Sequence, residues 1–128
     1  GTVAGMTHGT TPAHLARATF EAIALQIGDV FDAMQADCGM QLVALRADGG
    51  ASSNSFLMQL QADLLECPVE RAMIEEIGAL GAAAMAFGAL GVEWSADTGS
   101  ERFDPVMPSE TADTLRSTWR AAIARACS

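Results

Sequence analysis

The sequence predicts an α/β fold that is rich in helix and contains one βαβ unit. Segments with apolar residues at helical spacing alternate with two short, mostly apolar runs. The first of these runs ends in a Gly-Gly-Ala turn, and an amphipathic segment begins directly after it. Strands that alternate with helical segments in this way are typical of parallel βαβ units, whose crossover is right-handed.

The first predicted helix is long. Thr11 is a good N-cap, Pro12 suits the first helical position, and Gly39 is a typical C-terminal stop. We expect a helix of roughly 25 residues, longer than is usual in a globular protein, which packs across the sheet. Its apolar residues near helical spacing are Leu15, Ala18, Ala22, Leu25, Val30 and Met34.

The βαβ unit follows this helix. Residues 41–47 form the first predicted strand, whose nearly continuous apolar character favours a strand covered on both faces. Residues 54–65 are predicted as the crossover helix and residues 67–72 as the second strand.

Residues 78–91 are predicted to form a helix that is rich in glycine and alanine. A glycine inside a helix costs about 1 kcal/mol relative to alanine, so we expect another backbone to lie close to this one. The apolar stretch 77–92 is shorter than a membrane span of about 20 residues, which favours a buried helix. We interpret the segment as a tightly packed core helix, and a position beside a ligand-binding cleft is compatible with this.

The C-terminal part is predicted as a loop, residues 95–108, followed by a helix, residues 109–126, with Ser109 as its cap. Leu115, Trp119, Ala122 and Ile123 supply its buried stripe. Arginines near a helix C-terminus interact favourably with the helix dipole. We therefore interpret the remaining charged face as solvated, not as a phosphate site, and expect it to consist of Arg116, Arg120 and Arg125.

Composition excludes several classes of partner. The 128 residues suffice for one domain, and the formal net charge is −9 with arginine as the only strongly basic residue. An acidic protein of this kind is not expected to bind nucleic acid or an anionic membrane, although a mononucleotide is not excluded. Cys38, Cys67 and Cys127 form no CxxC pair, which argues against a disulfide framework or a zinc site and favours a reducing compartment. The first residues lack the charged segment followed by an apolar segment that is typical of a signal peptide.

The Gly49-Gly50-Ala51 turn is the strongest candidate for a binding site. Three small residues expose bare backbone between a strand and a helix, and ligands of open α/β sheets usually lie beyond the carboxyl ends of the strands. A flat ring could lie against this turn, with the Asn54 amide directed at its polar edge. The alternative, an ordinary tight βα turn, stays open on these residues alone.

Other polar residues are assigned structural roles. Asp48 precedes the two glycines, and we expect its carboxylate to accept backbone N–H groups and hold the turn, not to act as a catalytic base. Ser52 and Ser53 are candidate helix caps, since no base lies at a recognisable spacing from either hydroxyl. Five methionines are interpreted as core residues that fill gaps: Met34, Met40, Met58, Met73 and Met85.

Neither histidine belongs to a recognisable metal site. His8 and His14 lack the spacing of paired ligands on one helix face, and we expect structural or solvent-facing roles for both. The pair Glu75-Glu76 is interpreted as part of a solvated loop, not as a Mg²⁺ site.

Several segments occur together in an order that is specific to one family. The chain resembles the C-terminal part of the FGGY carbohydrate kinases, most of all the members that phosphorylate glycerol. The likeness runs from residue 1 to about residue 91 and continues faintly around Trp119. The segments that carry it are Gly1-Thr2-Val3-Ala4-Gly5-Met6, Thr7-His8-Gly9-Thr10-Thr11-Pro12-Ala13-His14-Leu15-Ala16-Arg17-Ala18, Asp48-Gly49-Gly50-Ala51 with Asn54, Phe56-Leu57-Met58-Gln59 and Ala62-Asp63, and Pro68-Val69-Glu70-Arg71 with Ala79-Leu80-Gly81-Ala82-Ala83.

The resemblance implies a partial ribonuclease-H-like domain, as in actin and hexokinase. It implies that residues 1–128 are the nucleotide-binding C-terminal part of a longer kinase, which begins before this chain. The intact enzyme would use ATP with Mg²⁺ to phosphorylate glycerol or another polyol, in a cleft shared with an N-terminal FGGY domain. We expect that enzyme to be a cytoplasmic homo-oligomer.

The resemblance also implies which residues bind the nucleotide. Gly50 and Asn54 match positions that contact the adenine nucleotide, and Gly49 and Ala51 complete the same turn. The catalytic aspartate, the phosphate loops and the carboxylates near the metal belong to upstream motifs. No catalytic residue and no metal ligand is therefore assigned to this chain, which we expect to be inactive alone.

Two alternative functions stay open. The chain could belong to a kinase of the same family that acts on another sugar or polyol, such as xylulose, or it could be a detached binding or assembly module without catalysis. The chain departs from the family pattern in two places. Residues 76–79 are Glu-Ile-Gly-Ala, where Thr or Ser before Ala-Leu-Gly is more usual, and the C-terminal tail is short and matches only loosely.

Overall fold

The computed structural model describes residues 2–74, 76–94 and 99–127. Helices and short strands alternate along the chain, as predicted. In chain order the elements are α1 (Pro12–Cys38), β1 (Leu45–Ala47), a 3-10 turn (Gly50–Ser53), α2 (Ser55–Leu65), β2 (Val69–Ala72), α3 (Ile77–Ala89), β3 (Ser100–Phe103) and α4 (Ser109–Ala126).

Helix α1 begins and ends where its terminal residues predict. At its start the Thr11 backbone N–H donates to His14 Nδ1 at 3.1 Å. At its end Gly39 adopts φ 63°, and its N–H donates to the Gln35 carbonyl at 3.0 Å. The main neighbour of α1 is α2, with a smaller contact to α4. The expectation that α1 crosses the sheet is therefore wrong, because α1 packs mainly on helices.

The three strands form one sheet in the order β1-β2-β3. Strands β1 and β2 are parallel, with Leu45 opposite Val69, which confirms the βαβ unit. Strand β1 is shorter than predicted, and Val43 before it is 84% exposed, so the predicted strand covered on both faces is wrong. Among the described residues β1 is an edge strand with β2 as its only neighbour in the sheet, which explains its limited cover.

Strand β3 lies within the segment that was predicted to be a loop. It pairs antiparallel to β2, with Val69 opposite Phe103. Its sequence, Ser-Glu-Arg-Phe, has little apolar character. The segment forms a strand because its charged residues make ion pairs across the sheet: Arg102 with Glu70 at 3.5 Å, and Glu101 with Arg71. Residues 95–98, the start of that predicted loop, lie outside the described residues.

Helix α2 supplies half of the buried apolar residues and packs between α1 on one side and β2 on the other. Met58 is the only one of the five predicted core methionines that is buried. The other four expose half or more of their surface, because they lie on segments that leave this core, so that prediction is wrong for them. The buried apolar residues are Ala24, Leu25, Phe31, Leu57, Met58, Leu60, Ala62, Leu64, Leu65, Cys67, Val69 and Ala112.

Helix α3 is exposed, which contradicts the prediction of a tightly packed core helix. None of its described residues is buried, and Met85 is 79% exposed. A Cβ at Gly78, Gly81 or Gly88 would meet no heavy atom of a neighbouring element within 4 Å. An apolar, glycine-rich composition indicates that a helix can be buried, but it does not supply the element that covers it. Among the described residues, no helix combines the length and the apolarity needed to cross a bilayer.

Helix α4 starts at Ser109, one residue after its N-cap Pro108, so the prediction that Ser109 is the cap is wrong. Ala112 is buried, and Leu115, Trp119 and Ala122 are partly buried, as the stripe predicts, whereas Ile123 is exposed.

The arginines of α4 do not form a uniformly solvated face. Arg116 Nη1 lies 3.6 Å and Arg120 Nη2 3.8 Å from Asp32 Oδ2 on α1. Only 22% of the Arg116 side chain is exposed, so the outward orientation predicted for Arg116 is wrong. The carboxylate that attracts both arginines comes from another helix, which the sequence of α4 does not reveal.

Candidate nucleotide-binding site

The candidate site lies at the carboxyl end of β1. After Ala47 the chain reverses at Gly49, whose φ of 85° and ψ of 177° are accessible to glycine and almost no other residue. Residues Gly50–Ser53 then form one 3-10 turn, and α2 begins at Ser55. The backbone conformation that requires glycine is therefore at Gly49, whereas Gly50 has no positive φ.

The turn presents an open surface. Gly49, Gly50 and Ala51 are all exposed, and a Cβ added at either glycine would meet nothing within 4 Å. The two glycines thus have different roles: Gly49 is required by the fold of the turn, and Gly50 only leaves space. A flat ligand can approach the backbone of this turn without displacing a side chain.

Asn54 is the N-cap of α2. Its Oδ1 accepts a hydrogen bond from the Leu57 backbone N–H at 3.1 Å, which satisfies one of the donors at the helix start. Its Nδ2 makes no hydrogen bond with the residues that the structure describes. The helix therefore fixes the orientation of the Asn54 amide and leaves its donor group available for a ligand.

The turn is held by hydroxyl groups, not by Asp48. Ser52 Oγ donates to the Gly49 carbonyl at 2.7 Å, and Ser53 Oγ donates to the Gly50 carbonyl at 2.7 Å. The Asp48 carboxylate is exposed and accepts no hydrogen bond from the described residues, so its predicted role in the turn is wrong. The prediction that Ser52 or Ser53 caps α2 is also wrong, because both hydroxyls bond backward within the 3-10 turn and Asn54 is the cap.

Arg71 is the residue of this site that the sequence analysis missed. Its Nη1 donates to the Ser52 carbonyl at 3.0 Å, to the Ser53 carbonyl at 3.1 Å and to Ser55 Oγ at 3.3 Å. Arg71 stands opposite Ala47 in the parallel pair of strands, so both strands deliver their ends to the same edge of the sheet. Arg71 lies at the carboxyl end of the strand next to the turn, and this predicted position could have identified it as a residue of the site.

The other candidate residues lie apart from the turn. His8 and His14 are exposed, and His14 serves the start of α1. Glu76 is exposed before α3, and its neighbour Glu75 lies outside the described residues.

The three cysteines carry free thiols in this structure. Cys38 and Cys127 are exposed, whereas Cys67 is buried. Burial raises the pKa of the Cys67 thiol above its usual value, and a backbone hydrogen bond with Leu45 offsets part of this rise.

Comparisons with known proteins agree with the resemblance. The family profile of the FGGY carbohydrate kinases, C-terminal domain, matches residues 1–90. Glycerol kinase of Nitratidesulfovibrio vulgaris is 49% identical over 98% of this chain and 27% of its own length. Glycerol kinase of Bacillus anthracis is 46% identical over 96% of this chain and 26% of its own length. The chain thus spans about a quarter of the length of the curated relatives it matches.

Solved structures show the same fold. The crystal structure of Plasmodium falciparum glycerol kinase with ADP superposes with a TM-score of 0.85 at 28% identity, over 97% of this chain and 26% of that one. Xylulose kinase of Rhodospirillum rubrum superposes with a TM-score of 0.71 at 27% identity, over 97% of this chain and 27% of that one. These likenesses confirm an α/β fold that is part of a ribonuclease-H-like ATPase domain. The chain belongs to the FGGY family of carbohydrate kinases, and the part of the family that it matches is the C-terminal domain.

Proposed function

We propose that this chain is the nucleotide-binding C-terminal part of a longer kinase, here called the intact kinase, which transfers a phosphoryl group from ATP to glycerol. The observation that carries the proposal is the open Gly49-Gly50-Ala51 turn beside the free amide donor of Asn54. Glycerol as the substrate is supported by two curated relatives, glycerol kinases that are 49% and 46% identical to the chain.

The adenine ring lies against the turn in this proposal. Gly50 and Ala51 let the ring approach the backbone, Gly49 gives the chain its reversal, and Asn54 Nδ2 donates to an acceptor on the ring edge. Because Asn54 Oδ1 is committed to α2, the amide is oriented before the nucleotide arrives. The likeness to part of a glycerol kinase solved with ADP supports a nucleotide-binding role for the intact kinase.

The chemical step belongs to the rest of the intact kinase. We assign no catalytic residue and no metal ligand to this chain. Mg²⁺ would be held by the phosphates and by the N-terminal domain, since kinases bind this ion through phosphates, water and one or two carboxylates. The contribution of this chain is to hold the nucleotide while the two domains close and exclude water. We also propose that the intact kinase is a cytoplasmic homo-oligomer and that the chain alone is inactive.

Asn54 variants of the intact kinase test the nucleotide site. Asn54→Ser keeps an N-cap oxygen for Leu57 and removes the amide donor, whereas Asn54→Ala removes both. For Asn54→Ser we expect ATP affinity to fall about fivefold to tenfold, the value of one buried hydrogen bond. Its melting temperature and its KM for glycerol should stay unchanged. Asn54→Ala should lose the same affinity and also some stability.

Titration calorimetry with ATP and a coupled assay with glycerol measure these quantities. Unchanged ATP affinity in Asn54→Ser would show that the amide does not contact the nucleotide. If the unsubstituted intact kinase phosphorylates no polyol in the presence of MgATP, the proposed activity is wrong.

A sugar or polyol kinase other than a glycerol kinase is the second candidate. The structural likeness to a xylulose kinase at 27% identity favours this alternative within the family. A comparison of kcat/KM for glycerol and xylulose separates the two, and a higher value for xylulose would replace glycerol as the substrate. The proposal of a detached binding module predicts no turnover with either.

A further inference from the structure

Arg71 joins the candidate nucleotide turn to the sheet. Its guanidinium reaches three oxygen atoms of the turn region, two of them carbonyls at the C-terminal end of the 3-10 turn. Carbonyls at the end of a helical turn have no partner within the turn itself. A charged donor that bonds several of them forms stronger hydrogen bonds than a neutral donor would.

The turn has few other attachments. Gly49, Gly50, Ala51 and Ser53 are exposed, so little apolar packing holds this segment in place. The hydroxyl groups of Ser52 and Ser53 donate hydrogen bonds to carbonyls of the turn region itself, those of Gly49 and Gly50. Among the described residues, every side-chain hydrogen bond that reaches residues 48–53 from outside them comes from Arg71. Apart from the covalent links of the turn to β1 and α2 and the burial of Ser52, Arg71 is therefore the side chain that ties the turn to β2.

The Arg71 guanidinium is itself held in place by β3. Glu101 forms an ion pair with Nη2, whereas the bonds to the turn region are made by Nη1. The Phe103 ring lies beneath the guanidinium, with 5.4 Å from Cζ to the ring centroid. Only 17% of the Arg71 side chain is exposed, so its contacts are partly shielded from solvent. Strand β3 thus fixes the orientation from which Arg71 bonds the turn.

We propose that Arg71 is a positioning residue for nucleotide binding and that Glu101 orients it. Arg71 fixes the carbonyls of Ser52 and Ser53, and through them the backbone of Gly50 and Ala51 against which the adenine ring lies. This inference rests on the nucleotide site proposed above. The loss of Arg71 weakens ATP binding in the ground state and the transition state equally, so KM for ATP rises while kcat is unchanged.

Four variants of the intact kinase test this role. Arg71→Met keeps the apolar stem on Phe103 and removes the guanidinium. Arg71→Lys keeps the charge but cannot bond the turn and Glu101 together in the same geometry. Glu101→Gln leaves Arg71 in place without its ion pair. Arg102→Met is the matched control, because Arg102 on β3 also pairs across the sheet, with Glu70, but does not touch the turn.

We expect KM for ATP to rise about tenfold in Arg71→Met and about threefold in Arg71→Lys and Glu101→Gln. In all three variants kcat and KM for glycerol should change less than about twofold. The control Arg102→Met should leave KM for ATP unchanged. Melting temperatures ensure that the kinetics are measured well below unfolding, and Arg71→Lys and Glu101→Gln carry the test if Arg71→Met does not fold.

The outcomes separate this inference from the function on which it rests. If Asn54→Ser weakens ATP binding but the Arg71 and Glu101 variants behave like Arg102→Met, the positioning role is wrong and the nucleotide site stands. A fall in kcat and melting temperature with unchanged KM for ATP shows that Arg71 only stabilises the fold, which also overturns the inference. A kinase without ATP-dependent turnover overturns both.

Discussion

The carboxylate of Asp63, on α2, accepts a hydrogen bond from the Val106 backbone N–H at 2.8 Å. The same oxygen, Oδ1, also accepts from the Met107 N–H at 3.2 Å and from Gln59 Nε2 at 3.0 Å. Asp63 is only 7% exposed, so these bonds compensate for the burial of its charge. Gln59 Nε2 also donates to the Asp104 carbonyl at 2.8 Å, so Asp63 and Gln59 together attach the connection between β3 and α4 to α2.

Asp63→Ala should lower the free energy of unfolding by about 2–3 kcal/mol, because it removes a charged acceptor that serves three donors. Asp63→Asn keeps an oxygen in place and should cost less. Gln59→Ala is the control, because it removes one of the three donors to Asp63 together with the bond from Gln59 to the Asp104 carbonyl. Urea unfolding of the chain measures all three variants. A loss in Asp63→Ala no greater than that in Gln59→Ala would contradict this expectation, because it would mean that the two backbone bonds to Asp63 contribute no more than the single bond from Gln59 to the Asp104 carbonyl.

Gly49 and Gly50 should respond differently to substitution. Gly49→Ala should cost about 1–3 kcal/mol of stability, because a Cβ strains the backbone at φ 85°. Gly50→Ala should change stability by less than about 0.5 kcal/mol, since its Cβ meets no neighbour within 4 Å. Thermal or urea unfolding of the two variants decides this, and equal losses would contradict it.

The nucleotide site adds a second expectation for Gly50. In the intact kinase, Gly50→Val should raise KM for ATP more than about tenfold, since a branched side chain occupies the space assigned to the adenine ring. Its melting temperature should fall little. If Gly50→Val binds ATP normally, the ring does not lie against this turn.

Glu66 ends α2 in a left-handed conformation, with φ 52° and ψ 30°, that favours glycine. Glu66→Gly should raise the free energy of unfolding by about 0.5–1 kcal/mol. Glycine removes the strain of the left-handed conformation, and the greater conformational entropy of the unfolded chain offsets part of this gain. Glu66→Ala is the matched control, because it removes the same carboxylate but keeps the Cβ. A melting temperature that rises equally in both variants would assign the effect to the charge and not to the backbone.

Thiol labelling reports whether the core forms in the chain alone. Cys38 and Cys127 should react quickly with a disulfide reagent at neutral pH, whereas Cys67 should react only after unfolding. Burial both shields the Cys67 thiol from the reagent and raises its pKa, which disfavours the reactive thiolate. Three equal rates would show that α1, α2 and β2 do not pack in the isolated chain.

The raised pKa of Cys67 also sets the sign of a pH effect. The contribution of the thiol to stability is fully present below its ordinary pKa and is lost as pH rises through the raised value of the folded state. The difference in stability between the chain and Cys67→Ala should therefore decrease at alkaline pH. Urea unfolding of both proteins on the two sides of the thiol pKa checks this direction.

The sequence by itself determined the features that depend on residues close together in the chain. Thr11, Pro12 and Gly39 bound α1 because caps and stops act within one helical turn. The alternation of an apolar run, a glycine turn and an amphipathic helix determined the βαβ unit for the same reason. The ordered family segments identified the FGGY kinases because they preserve spacing along one chain.

The tertiary structure decided what depends on partners distant in sequence. Glu101 became part of a strand because Arg71 lies across from it on β2, and no local pattern of apolar residues marks that pairing. Arg116 turned inward because α1 brings Asp32 to it. The exposure of α3 likewise depends on which elements are present to cover it, and not on its own apolar composition.

The candidate site shows the same division within a few residues. The sequence placed Gly49 and Asn54 at the turn, but it assigned the cap of α2 to Ser52 or Ser53, whereas the structure assigns it to Asn54. That Gly49 and not Gly50 carries the positive φ, and that Arg71 bonds the turn from 18 or 19 residues away, required the folded chain. Local backbone preferences are encoded in neighbouring residues, whereas a hydrogen bond between strands and a turn exists only once the sheet has brought its ends together.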